Sequence, residues 1–202
     1  MGKFTKVASD AFQKLQLNAG ILTDGFAVDT ATIGNIIGAT TGGVTFSATP
    51  NYIDFGEDVD NVPNGMMELK KLDYYDVHMT GNFVTCTPTL AKKLIGSADI
   101  DGSNSTKVIP RDELKTTDFA DVWWIGDYSD VNTDSGTGQS ATTAGYIAIH
   151  LMNALNTSGF QITSTKNGKG QLAFDFQGHY SIDAQDTVPF EIYVKAGTAP
   201  ST

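Results

Sequence analysis

Apolar and polar positions alternate along much of this chain with a period of two. Val44, Phe46 and Ala48 are separated by Thr45, Ser47 and Thr49 before Pro50 interrupts, which predicts a strand with one apolar face and one uncharged polar face. Phe190, Ile192 and Val194 alternate with Glu191, Tyr193 and Lys195 in the same way. Further strands are predicted within 76–86, 122–126, 146–152, 160–165 and 172–180. The run Lys166-Asn167-Gly168-Lys169-Gly170 joins two of them, because Asn-Gly supplies the positive φ angles that a tight hairpin needs.

Helical signals are few. Over Pro88–Ile95, Thr87 can cap, Pro88 suits the first helical position and Gly96 the stop. Leu90, Ala91, Leu94 and Ile95 fall on one stripe, with Lys92 and Lys93 toward the carbonyl end, so this helix is expected to lie on a sheet. A second helix is predicted over 10–17 from Ala11, Phe12 and Leu15. The stretches 20–43, 54–65, 99–106 and 132–145 read as loops. The expectation is a mainly β fold with minor α content: one domain over 1–202, a flanking helix and long loops of the kind that serve contact with neighbours.

Composition narrows the functional classes. The 202 residues carry 13 Lys and Arg against 23 Asp and Glu, a formal charge of −10, and no basic stripe. That balance argues against tight nucleic-acid binding, which depends on basic residues that release counterions. No apolar run approaches the roughly 20 residues of a membrane span. The opening Met-Gly-Lys-Phe-Thr-Lys leads into polar residues, not a secretory apolar core, and predicts a chain kept in a cytoplasm. Cys86 stands alone and reads as a small buried hydrophobe.

Catalytic patterns are weak. Gly168-x-Gly170-x-x-Ala173 leads into a strand and not a helix, so it reads as a turn and not as a dinucleotide fingerprint. His78, His150 and His179 stand in separate predicted strands without metal-ligand spacing. The acids at 99–104 and 127–134 lack the spacing of a calcium loop and read as solvated turns. No cofactor, metal or catalytic residue is assigned. The acidic run Asp54, Glu57, Asp58 and Asp60 reads as a soluble loop or as a contact with Lys70, Lys71 or the amines of a neighbouring subunit. The pairs Trp123-Trp124 and Tyr74-Tyr75 say more. Successive strand side chains point to opposite faces, so one member of each pair needs cover from a two-sided internal core or from a partner subunit.

Three segments read together carry a resemblance: Asp118-Phe-Ala-Asp-Val-Trp-Trp-Ile-Gly-Asp-Tyr-Ser-Asp130, Gly145-Tyr-Ile-Ala-Ile-His-Leu-Met-Asn-Ala-Leu155 and Gly168-Lys-Gly-Gln-Leu-Ala-Phe-Asp-Phe-Gln-Gly-His-Tyr180. With the ending Asp183-Ala-Gln-Asp-Thr-Val-Pro-Phe-Glu-Ile-Tyr-Val-Lys195 and likeness over 36–50 and 56–96, the chain resembles the major tail tube protein of long, non-contractile-tailed (siphovirus-type) bacteriophages. The resemblance implies a β-sandwich or half-barrel with one flanking helix, assembled as a homohexameric ring whose sheets join into a barrel. Such rings would stack into a conduit for genome ejection, located in the virion tail after assembly in the host cytoplasm. It also implies a connector loop over 54–73, subunit contacts that we place at Asp54, Glu57, Asp58, Asp60, Tyr74, Tyr75, Trp123 and Trp124, and no C-terminal immunoglobulin-like domain. Implied partners are further copies, the tape-measure, tail-terminator and tail-tip proteins, and double-stranded DNA in transit. An acidic or neutral wall would let that DNA pass. Alternatives of other classes are a monomeric carbohydrate-binding β-sandwich, a two-carboxylate hydrolase and the ring-forming tube of a secretion machine.

Overall fold

The structure, a computed structural model, describes residues 15–57, 59–128 and 145–196. Chain order gives β1 (Gln16–Thr23), β2 (Phe26–Ala27), β3 (Thr32–Ile33), β4 (Ile36–Gly38), β5 (Thr40–Asp54) and β6 (Lys70–Phe83). After α1 (Pro88–Ile95) come β7 (Ala98–Ile100), β8 (Val108–Pro110), β9 (Ala120–Tyr128), β10 (Gly145–Asn156), β11 (Gln161–Thr163), β12 (Gln171–Gln177) and β13 (Phe190–Lys195). The fold is mainly β with one α-helix among the described residues, as the alternation predicts.

Nine of the strands form one antiparallel sheet folded over on itself, and β10 makes the fold. Its first half, through Leu151, pairs with β9 on one side and β13 on the other. The register then shifts between Leu151 and Ala154, Asn153 takes a φ of 48°, and Leu155 and Asn156 pair with β12 instead. One leaf therefore runs β4-β1-β9-β10-β13 and the other carries β12, β6 and β5, with β11 beside β12. The inner faces enclose the core. Leu22, Val122, Trp124 and Leu151 come from the first leaf and Val77, Met79, Phe83, Leu172, Phe174 and Phe176 from the second. At about 1.5–3 kcal/mol for each large apolar side chain buried, this cluster dominates the stability of the chain.

Helix α1 forms where its local signals place it. Thr87 Oγ1 accepts the Leu90 N–H at 3.1 Å, and Gly96 ends the helix at a φ of 87° while its N–H donates to the Lys92 carbonyl. Leu90 and Leu94 insert into the core between the leaves. The hairpin β7–β8 follows, tied by Arg111, whose Nε lies 2.8 Å from Asp99 and whose Nη2 lies 2.5 Å from the buried Asp118. Asp101 accepts the Ser103 N–H in the turn of this hairpin and lies 3.6 Å from Lys107, so these acids serve the turn and its ion pairs.

Several expectations are corrected. The stretch 20–43 is not a loop: β1 to β4 and the start of β5 occupy most of it, β1 paired with β9 and β4, β2 with β3, and β5 with β6, and not marked by any local alternation. Within the predicted second helix, Gln16 and Leu17 open strand β1, and residues 10–14 lie outside those described. Pro50 does not end its strand. It pairs with Tyr75 in β5, an edge strand, where a missing N–H removes no ladder bond. Lys70 to Asp73 belong to β6, which ends at Phe83, so Cys86 sits exposed in the turn before α1. The Asn-Gly hairpin forms between β11 and β12 with a longer connection than two residues. Its β-turn is closed by Gly168 N–H to the Thr165 carbonyl, with Asn167 alone of the pair at positive φ. Most of the predicted loop 132–145 lies outside the described residues, and Gly145 begins β10.

Candidate self-association surface

Two strands outrun the sheet that holds them. β12 accompanies β6 from Phe83 to His78 and stops, whereas β5 and β6 stay paired from Thr49 and Asp76 to Asp54 and Lys70. Six residues of β5 and seven of β6, roughly 20–24 Å at 3.4 Å per residue, thus form a two-stranded arm. Asp54 closes its tip: Oδ1 accepts the Gly56 N–H and Oδ2 the Gly65 N–H, both at 2.9 Å, and Phe55 N–H donates to the Leu69 carbonyl. The arm bears Tyr52, Ile53, Phe55, Val59, Leu72 and Tyr74 as exposed side chains, with Met67 81% exposed at the tip. Lys70 stands over the Tyr52 ring at 4.8 Å and Lys71 over Phe55 at 5.6 Å, lending these rings cations without covering them. Isolated exposed apolar residues are ordinary, but a contiguous group on a projecting element marks a contact site.

The outward face of the second leaf continues from the root of the arm and differs from it sharply. Thr45, Ser47 and Thr49 of β5 face Thr80, His78 and Asp76 of β6, and β12 adds Ala173, Asp175 and Gln177. This face contains no lysine or arginine and no large apolar side chain. Its charges sit in one cluster. His78 Nδ1 lies 2.7 Å from Asp175 Oδ1 and Nε2 lies 3.0 Å from Asp76 Oδ1. Partial burial pushes the His78 pKa down, but the hydrogen bond and charge of Asp175, followed by those of Asp76, outweigh it and hold the group above the ordinary histidine value.

At the far margin, β13 pairs only with β10 among the described residues, leaving its other edge without a partner there. Phe190 packs into the core, while Ile192 and Val194 on the same strand face are half exposed, prolonging the core surface beyond its cover. Unpaired strand edges of this kind accept further strands unless something blocks them.

Of the sequence-predicted contact residues, the arm gathers Asp54, Glu57, Asp60 and Tyr74. Glu57 and Asp60 are exposed, Asp54 is spent on closing the tip, and Asp58 lies outside the described residues. Tyr75 points inward at the root, its ring 5.5 Å from Phe190. The tryptophans are not on the surface. Trp124 is in the main core, its indole N–H donating to the Ala19 carbonyl at 3.0 Å. Trp123, on the opposite face, is covered by Phe26 of the β2–β3 hairpin and joins Tyr146 and Ala148 in a second cluster. The two-sided internal core encloses both rings within one chain, so neither is presented to a partner. Sequence reasoning missed the apolar strand residues Tyr52, Ile53 and Leu72, since neither strand alternates once both its faces meet solvent.

The three histidines do not share a site. His150 is stacked on Trp123 at 3.9 Å and lies 3.0 Å from Asp121, while His179 donates to the Asn153 carbonyl. Among the described residues no cluster of His, Cys, Asp and Glu is placed to hold a metal, and no helix is long and apolar enough to cross a membrane. A cleft of about 320 Å³ includes Tyr146 and Tyr193, but the Tyr146 ring is engaged by Phe26 and Lys195. No protein-family model matches the chain, and no curated protein matches it significantly.

Proposed function

We propose that this chain is a non-enzymatic structural subunit that polymerises into a hollow tube, the tail tube of a long, non-contractile-tailed bacteriophage. The observation that carries this reading is one continuous hairpin whose outer face is polar and free of amines along the body of the sheet and whose projecting arm exposes a group of large apolar side chains. A monomer gains nothing from exposing the arm. Repeated copies would bury each arm against a neighbour and satisfy the free edges of β5 and β13 by pairing between subunits. The segments that resemble tail tube proteins support the choice of assembly, and the exposed arm supports the contacts proposed for it.

On this reading the subunits close into six-membered rings, the polar face of β5, β6 and β12 turns toward the bore, and the arms join ring to ring. The bore would carry acids and hydroxyls. Double-stranded DNA would find no lysine or arginine there to trade for its counterions, with His78 already matched by two carboxylates, and would slide. Tape-measure, tail-terminator and tail-tip proteins would set the length and cap the ends, with assembly in the host cytoplasm and residence in the virion tail.

Negative-stain microscopy of the purified chain at rising concentration, with and without a tail-tip nucleus, tests the proposal. Hollow tubes of uniform diameter with stacked six-fold rings are the expected result. A monodisperse monomer, or irregular aggregates under every nucleating condition, would overturn it.

A further inference from the structure

One ionic group stands where the arm leaves the body of the sheet. The last β6–β12 pair is His78 with Gln177, and Asp76 is the next residue of β6 on the same face. His78 thus bridges Asp175 of the body strand and Asp76 of the arm strand, at 2.7 and 3.0 Å. Gln177 Nε2 donates to the same Asp76 oxygen at 3.0 Å. A carboxylate offers only acceptors, so both ring nitrogens must carry hydrogen to bond both acids, and a neutral imidazole carries one. The arrangement is that of an imidazolium held between two carboxylates. From β5 the ring is faced by Ser47, flanked by Thr45 and Thr49, none of which titrates near neutrality. Asp76 and Asp175 are the charged side chains in contact with it among the described residues. Besides this bridge and the β6 ladder, the arm's root is held by Gln177 on Asp76, by the Gly178 N–H donating to the Val77 carbonyl at 3.0 Å, by the Tyr75 N–H donating to the Tyr180 hydroxyl at 3.0 Å and by Tyr75 against Phe190.

We propose that His78 is a proton-operated clamp at the root of the arm. As an imidazolium it ties Asp76 to β12 and aims the arm. On losing its proton it surrenders one of its two hydrogen bonds, leaves a nitrogen lone pair facing a carboxylate, and loosens the arm, which then keeps only the Gln177 bond from Asp76 to β12. The clamp is a property of the single chain, and only its consequence, that self-association weakens in alkali, rests on the tube reading. The sign follows from which state favours the proton. The folded chain favours charged His78, so the stabilisation is whole below the unfolded histidine value of about 6.5 and is lost as pH climbs through the higher folded value.

Amide hydrogen exchange on the soluble full-length chain reads the clamp directly, after correction for intrinsic rates at each pH. Protection over 49–54 and 70–77 should fall at least about fivefold, roughly 1 kcal/mol, between pH 6 and pH 9 relative to β9 and β10. His78→Gln should show the low arm protection at both pH values, with β9 and β10 unchanged. Side-chain nitrogen NMR of the unaltered protein should find both His78 ring nitrogens protonated at pH 7, a readout that survives if the variant fails to fold. A singly protonated ring at pH 7, pH-independent arm protection, or an unchanged pH response in His78→Gln would each overturn the clamp. An arm that responds to pH in a chain that never forms tubes would keep the clamp and remove the tube. Tubes built by a chain with an unresponsive arm would do the reverse.

Discussion

At the scale of single residues, the buried carboxylate of Asp118 is the most exacting polar group in the chain. Its side chain is 1% exposed, Oδ1 accepts from Arg111 Nη2 at 2.5 Å and Oδ2 accepts the Lys115 N–H at 2.9 Å. Desolvation pushes its pKa up, but the Lys115 N–H and the Arg111 guanidinium outweigh that and hold the group below the ordinary carboxylate range. Asp118→Asn strips the charge and leaves Arg111, 15% exposed, without its buried partner. The expected cost is about 3 kcal/mol, read as a lower urea midpoint at unchanged slope. Because the folded value is depressed, this stability is present above the unfolded value of about 3.9 and is lost as pH falls through the folded one. The variant should therefore lose less between pH 5.5 and pH 3 than the parent does. Neither residue stood out in the sequence, since an arginine and an aspartate seven apart around a turn have no signature. Thr87 and Gly96 did stand out, because a cap needs only its own neighbours. Gly20 shows the opposite limit. A Cβ there would stand 2.5 Å from the Trp124 indole, a constraint set by a residue more than a hundred positions away.

At the scale of elements, the tube reading makes the arm the part that decides how the chain meets its neighbours. Covering roughly 400 Å² of its apolar surface is worth about 10 kcal/mol at 25 cal/mol per Å². Association costs about 4–15 kcal/mol before anything is gained. One arm contact thus comes close to breaking even, and growth becomes favourable only where a subunit docks against several neighbours at once. Assembly should accordingly show a lag that preformed ends abolish. Tyr52 and Leu72 face each other across the arm, 54% and 46% exposed, so the double variant Tyr52→Ser, Leu72→Ser removes contacts that the folded monomer does not use. Its thermal midpoint should stay within a few degrees of the parent's. Light scattering, by contrast, should show no growth from added ends at concentrations where the parent elongates. Loss of folding along with loss of growth would mean that the arm belongs to the core. The sequence legibly marked strands whose apolar and polar residues alternate, β12 with one face buried and β13 with only Phe190 of its apolar face in the core. It could not mark β1, whose partner β9 is about a hundred residues away, nor the outer half of β6, where charged and apolar residues share both faces.

At the scale of the whole molecule, the distribution of charge matters more than its sum. A net charge of −10 says that the chain avoids polyanions on average, but only the fold assigns the amine-free surface to the outer face of β5, β6 and β12. If that face lines a bore, adding amines to it should convert a sliding surface into a gripping one without touching the contacts that build the tube. Thr45 and Ser47 are exposed on this face, and their side chains point away from the core that Val44, Phe46 and Ala48 pack against. The variant Thr45→Lys, Ser47→Lys should therefore assemble into tubes of the parent diameter. Those tubes should retain short linear duplex DNA on sedimentation in low salt and release it steeply as salt rises, because each phosphate neutralised contributes a slope near −0.9 in log affinity against log salt. Lysines on an outer wall would also bind DNA, and the shape of the probe separates the two cases. A short linear duplex can thread an open end, whereas a closed circular plasmid cannot, so bore lysines should hold the first and ignore the second. Retention of both would put this face on the outside of the tube, and retention of neither would mean that it is buried between subunits.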